Sequence, residues 1–226
     1  MSESLHFAEH RLQEIALLVM ACVYAIRIFW LTRYKAGRDR QMPTGPPDTN
    51  KKKGILYSLM NIMMPWAMES TRKHFIIYSQ FIVFHFGVTF AILMSFLIPY
   101  APDTMKPVWV IYLFQVVIGA AFIVGIFRII RRFSKKVMRA ISTPDDYFSL
   151  ILITTWFLTA FLSVPNKPEN GETIMIIYFW LTAFFLIYVP FSKISHYLYY
   201  PFTRYYLGRT MGHRGVFPLR GSRQSK

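Results

Sequence analysis

From Phe75 to Tyr100 the chain carries no Asp, Glu, Lys or Arg, and only Gln80, His85 and small hydroxyls interrupt its apolar side chains. About 20 such residues, each rising about 1.5 Å along a helix, cross the hydrocarbon core of a bilayer. Four more runs meet that requirement: 15–31, with Arg27 near its end; 108–130, with Arg128, Arg131 and Arg132 at its close; 147–164, without charge; and 174–200, with Pro190, Lys193 and His196 in its last third. Charged residues make up only 16% of the 226, against about 25% in soluble domains, which excludes an ordinary water-soluble fold. The expected architecture is an all-α membrane protein, one domain over 1–226 holding a bundle of five transmembrane helices, with a basic cytoplasmic tail over 203–226.

A sixth apolar stretch, 55–66, is too short to span and closes on Pro65, so it predicts a short interfacial or re-entrant helix. Charge supports that choice. With five spans, 23 of the 26 Lys and Arg residues fall on one side and only Arg11, Lys106 and Lys167 on the other. The positive-inside rule then puts the N-terminus outside and the C-terminus in the cytoplasm. A sixth span would set Lys51–Lys53 opposite Arg72 and Lys73. The net charge of +15 is thereby assigned to the lipid bilayer face rather than to nucleic acid. Glu3, Glu9 and Glu14 near the start speak against a signal peptide's basic region. Residues 34–54 read as a polar connector rich in Pro and Gly. The single cysteine, Cys22, excludes an intramolecular disulfide framework, an iron–sulfur cluster and a Cys-rich zinc site built by this chain alone.

Chemistry narrows to the histidines. His6 and His10 read as solvated outer residues, and His74 and His213 as neighbours of basic clusters. Only His85 and His196 fall inside apolar runs, where ionisable residues are costly and default to functional hypotheses. Counted from Lys73 and Arg204, both lie in the same half of the bilayer at similar depth. Two imidazoles on different helices at matched depth suit the axial positions of a haem; the bland alternative is a pair of interhelical hydrogen bonds. Arg27, Arg72 and Arg128 are candidate partners for haem propionates or, equally, basic anchors snorkelling to headgroups. The methionines at 60, 63 and 64 read as packing, and Asp145 and Asp146 as first-turn acids of the fourth helix.

The stretch Pro190-Phe191-Ser192-Lys193-Ile194-Ser195-His196 resembles the Pro-Phe-Ser-basic-x-x-His element that ends the fifth helix of respiratory nitrate reductase gamma subunits and related cytochrome b subunits. Phe84-His85-Phe86-Gly87 resembles that family's Phe-His-x-Gly around the partner ligand. The resemblance covers about 12–205. It implies one haem b held by His85 and His196 as metal ligands, in a prokaryotic cytoplasmic membrane. Two-haem members carry two further histidines; Ser95 and Tyr178 stand at those positions, which implies that the outer haem is missing. The quinol site of the family lies beside that outer haem, so its presence here is open. His74 and His213 as a second ligand pair are opposed by Pro201 and Gly208, which are expected to break the helix between His196 and His213.

The function this implies is electron relay within a multi-subunit complex of quinone-linked anaerobic respiration. Electrons would pass between menaquinone or ubiquinone, or other membrane subunits, and a cytoplasmic iron–sulfur subunit. The chain would carry electrons rather than catalyse bond chemistry itself. The alternatives are a cofactor-free membrane anchor or assembly subunit, and a small transporter. The transporter is opposed by the lack of an inverted repeat or paired broken helices.

Overall fold

The computed structural model describes residues 2–34, 37, 40–43, 50–67 and 69–219. Among them every regular element is helical, and five helices are long and apolar enough to cross a membrane: Glu3–Arg33, Phe75–Tyr100, Val108–Ser134, Pro144–Ser163 and Thr173–Phe191. The expected span bounds lie within a few residues of these, except at the start of the first, where the helix begins twelve residues earlier, and at the end of the last. In chain order the helices are α1 (Glu3–Glu9), α2 (Arg11–Arg33), α3 (Lys51–Met60), α4 (Glu69–Lys73), α5 (Phe75–Tyr100), α6 (Val108–Ser134), α7 (Lys136–Ile141), α8 (Pro144–Ser163), α9 (Thr173–Tyr188) and α10 (His196–His213). The distal tail from Arg220 and residues 35–36, 38–39 and 44–49 of the polar connector lie outside the described residues. The chain divides into two compact units, one of Met1–Arg27 and Ser79–Ile194, the other of Ile28–Tyr78 and Ser195–Lys226.

In the first unit, α5, α6, α8 and α9 form the packed core. Small residues let its helix backbones approach closely. A Cβ built on Gly87 of α5 would collide with the Cβ of Ala121 on α6, and one on Gly125 would lie 2.6 Å from Thr154 Oγ1 of α8. Aromatic rings fill the spaces these approaches leave: Phe84 meets Phe157 edge-on at 5.2 Å, and Phe90 meets Phe114 at 4.9 Å. Gln13 ties α2 to α9 by donating to the Phe179 carbonyl at 2.7 Å. The Ser2 backbone N–H donates to both Glu172 carboxylate oxygens, at 2.8 and 3.0 Å, joining the start of α1 to the start of α9. Hydrogen bonds from Ser2 hold the Glu172 carboxyl below the usual carboxylate range.

α8 begins as the sequence suggests. Thr143 and Asp146 form a reciprocal capping box, and Pro144 occupies the first turn, where its missing N–H costs no bond.

The second unit is built on an antiparallel pair, α3 against α10. Gly54 and Ser58 on α3 face Gly208 and Gly212 on α10, one turn apart on each helix. A Cβ on Gly208 would lie 2.6 Å from both the Gly54 carbonyl oxygen and the Ile55 Cα; one on Gly212 would lie 2.6 Å from the Asn50 carbonyl oxygen. The seam is therefore backbone against backbone, the geometry that small residues four apart permit. Tyr200 closes it by donating to the Leu59 carbonyl at 3.3 Å, and Tyr57 packs on Phe217 at 5.1 Å.

Two expectations are corrected here. Gly208 and Pro201 do not break the helix: α10 runs unbroken from His196 to His213. Pro201, the sixth residue of α10, forgoes one i→i−4 bond without ending the helix, and Gly208 is held helical by its contact with α3. The short helix predicted over 55–66 instead starts at Lys51, capped by the Asn50 side chain accepting from Lys53 N at 2.9 Å, and ends in two 3-10 turns at Asn61–Met63 and Pro65–Ala67.

Candidate functional site

His85 lies on α5 in the first unit, between two residues that face the core. Phe84 is buried against Phe157, and Gly87 is buried at the α5–α6 crossing; His85 and Phe86 point away from that core and are exposed. The spacing explains this division, because residues three apart share a helix face and adjacent ones do not. His85 Nδ1 donates to the Phe81 carbonyl of its own helix at 2.8 Å, and the Phe81 ring lies 4.1 Å from the imidazole. A carbonyl can only accept, so this bond requires a proton on Nδ1.

Arg128, near the end of α6, is half-buried and places its guanidinium 4.6 Å over the Phe84 ring. It is thus held one residue away from His85 by a cation–π contact. Arg27 lies 5.6 Å over the ring of Phe191, within the same unit. Arg72, on the five-residue α4, belongs to the second unit and is exposed. The structure therefore brings Arg128 beside the His85 element, while Arg27 is tied to the Pro-Phe-Ser-Lys segment.

That segment is where expectation and structure differ most. A kinked helix continuing to residue 200 is expected; instead α9 stops at Tyr188. A 3-10 turn at Val189–Phe191, an extended Ser192 and a second 3-10 turn at Lys193–Ser195 follow before α10 opens at His196. Pro190 has no N–H to continue the ladder, and its ring opposes the preceding turn. The break is stabilised residue by residue. Ser192 Oγ donates to the Val189 carbonyl at 3.1 Å and accepts from Ile194 N at 3.2 Å. Lys193 Nζ donates to Thr143 Oγ1 at 2.8 Å and to Asp146 Oδ2 at 3.0 Å, and Arg132 lies 3.9 Å from the same carboxylate oxygen. Asp146 was legible as a helix-start acid from Thr143-Pro144-Asp145-Asp146; its second role as the clasp for Lys193 was not. His196 is accordingly the first residue of a new helix, exposed and in the second unit, rather than a buried residue within the fifth apolar helix.

Ser95 and Tyr178 sit in the packed interior of the first unit. Tyr178 is 0% exposed and donates to the Ala91 carbonyl at 2.6 Å; Ser95 donates to the Ile92 carbonyl at 2.7 Å. Trp156 stacks on Tyr178 at 6.3 Å and donates from its indole to Thr182 Oγ1 at 2.8 Å, while Thr182 donates to the Tyr178 carbonyl at 2.8 Å. In the second unit His213 Nε2 donates to the Gln41 carbonyl at 3.0 Å, and His74 is exposed between α4 and α5. Among the described residues no group of three or more His, Cys, Asp or Glu side chains gathers as a metal site. A groove of the first unit is lined by Leu152, Ile176, Ile177, Trp180, Leu181 and Phe184, whose apolar side chains bring no ionisable group to it. Compared with protein-family models, curated proteins and solved structures, the chain gives no significant match.

Proposed function

We propose that the chain is a haem b-carrying membrane subunit of a prokaryotic respiratory complex. It relays electrons between the quinone pool or another membrane subunit and a cytoplasmic iron–sulfur subunit, with its C-terminus in the cytoplasm. The observation that carries the reading is the His85 Nδ1–H bond to the Phe81 carbonyl. Metal-bound histidines characteristically anchor their other ring nitrogen in this way, which fixes tautomer and ring orientation and raises ligand basicity. The donor chemistry fits a bis-imidazole haem: His85 is carried on the apolar α5 and His196 opens α10. A haem b so ligated takes up and gives back one electron.

The protein's own residues do the rest. His85 and His196 would ligate the haem iron. Arg128, carried on the Phe84 ring, and Arg27, carried on Phe191, offer cations to propionate carboxylates. The Lys193–Asp146 clasp fixes the chain just before His196. In the second unit the described acids amount to Glu69 alone, already paired with Lys73 at 2.7 Å, against ten Lys and Arg residues. That imbalance suits docking of an acidic cytoplasmic partner.

The test is the reduced-minus-oxidised visible spectrum of the purified chain. Sharp b-type bands are expected, and His85→Ala and His196→Ala should each abolish or convert the low-spin signal. A protein without haem would leave the membrane anchor or the transporter. Retention of the full low-spin spectrum in both variants would remove these histidines as ligands.

A further inference from the structure

At the other end of the first unit, α1 runs almost without interruption into α2. His10 N donates to the His6 carbonyl at 3.2 Å and Glu14 N to the His10 carbonyl at 2.9 Å, so helical register persists through the junction. His6, His10 and Glu14 therefore follow at four-residue intervals along one face. The combined helix of 31 residues is longer than a bilayer core of about 30 Å requires, and its charged first turns are the part that extends beyond the apolar stretch. The His6 and His10 rings have centroids 4.8 Å apart and are tilted by 41°. His6 is exposed, and His10 is half-buried, with the Tyr100 ring edge-on at 5.4 Å.

We propose that His6 and His10 chelate one divalent transition-metal ion at this surface. The spacing of two histidines four apart on a helix is the one that zinc-binding helices use. Metal–nitrogen bonds of about 2.0–2.1 Å, with about 1.1 Å more to each ring centre and about 90–110° between ligands, put the two centroids roughly 4.5–5.2 Å apart. The observed separation falls inside that interval, so the two rings are already as close as joint ligation requires. Glu14 follows His10 by one turn, 3.5 Å from both the Tyr100 hydroxyl and Arg11. Its carboxylate supplies negative potential along the same face. Imidazole donors select Zn²⁺, Ni²⁺ or Cu²⁺, with Cu²⁺ bound tightest, and disfavour Mg²⁺ and Ca²⁺. With two protein ligands, water completes the coordination and the ion exchanges readily. The site is independent of any haem at His85 and His196.

The experiment uses the full chain in lipid nanodiscs, titrated with Zn²⁺ by calorimetry and with Cu²⁺ by electron paramagnetic resonance. One Zn²⁺ per chain and a Cu²⁺ spectrum with coupling to two imidazole nitrogens are expected. Losing an outer-shell partner already weakens metal sites about 10–100-fold. Removal of a ligand by His6→Ala or His10→Ala should therefore weaken Zn²⁺ binding at least tenfold. His74→Ala and His213→Ala should leave it unchanged. Zn²⁺ affinity that survives in the His6→Ala/His10→Ala double variant, or that falls with His213→Ala instead, would overturn the proposal.

Discussion

At position 178 a tyrosine ring is wholly enclosed, with its hydroxyl committed to the Ala91 carbonyl and Trp156 stacked on its face. Ser95 points into the same interior with its own hydroxyl bonded one turn back. In the proposed family resemblance these two residues stand where a second haem's histidines would be expected, and the space around them is filled by side chains in mutual contact. One haem per chain is therefore expected, and Tyr178→Phe should not change that number. The substitution keeps the ring and removes a single buried hydrogen bond, which leaves the Ala91 carbonyl to its helical bond alone. A loss of about 1 kcal/mol is expected, readable as a lower thermal midpoint in detergent. A second haem in the purified protein, or a gain of stability in the variant, would contradict this account. Asp146 shows the opposite economy: one exposed-edge carboxylate caps α8 and receives Lys193. Asp146→Ala should lose the reciprocal half of the capping box, about 1 kcal/mol for its hydrogen bond from Thr143 N, and, if the proposed haem is bound, should also alter its spectral signature, because the chain before His196 loses its anchor.

At the scale of elements, the glycine seam between α3 and α10 gives a test in which the sign of the effect decides. In an unpacked helix Gly208→Ala would stabilise α10 by about 1 kcal/mol, the difference in helix propensity. Packed as observed, the new methyl meets Gly54 and Ile55 backbone atoms that cannot step aside, and overpacking of about 1–3 kcal/mol should prevail. Hydrogen exchange of the α3 and α10 amides should accelerate in Gly208→Ala and Gly212→Ala; slower exchange would show the seam to be absent in solution. The five long helices are legible in the sequence because a membrane span is a matter of length and apolarity, and both are local. The break at 189–195 is only half legible: Pro190 announces a disturbance, but the residues that stabilise a full stop, Asp146 and Thr143, lie some 47–50 positions earlier. Gly208 reads as a helix breaker in isolation. Only its spacing from Gly212, set beside Gly54 and Ser58, marks it as a packing residue. The same limit applies to the site: the chain marks His85 and His196 as candidates, whereas the Arg128–Phe84 contact depends on α6 and α5 being neighbours.

For the molecule as a whole, five membrane-length helices are an odd number, so spanning by all of them puts the two ends of the chain on opposite sides. Which side is which follows from the distribution of cations. The connections after α5 and after α8 carry Lys106 and Lys167, while the ends of α2, α6 and α10 and the connections beyond them hold nearly all the rest. Each Lys or Arg resists translocation, so the poor side is expected outside and the rich side in the cytoplasm. The short α3, lying between three lysines and the 3-10 turns, is too short to reverse this count. Cys22 is the only cysteine, so Cys22→Ser supplies a background for single reporters. A cysteine replacing Asp103 or Lys167 should react with a membrane-impermeant maleimide in intact cells. One replacing Lys52 or Arg139 should react only after the cells are opened. Labelling of Lys52→Cys from outside, with Asp103→Cys protected, would invert the topology. It would also place the basic second unit where no cytoplasmic iron–sulfur partner could reach it, and the proposed direction of docking would fall with it.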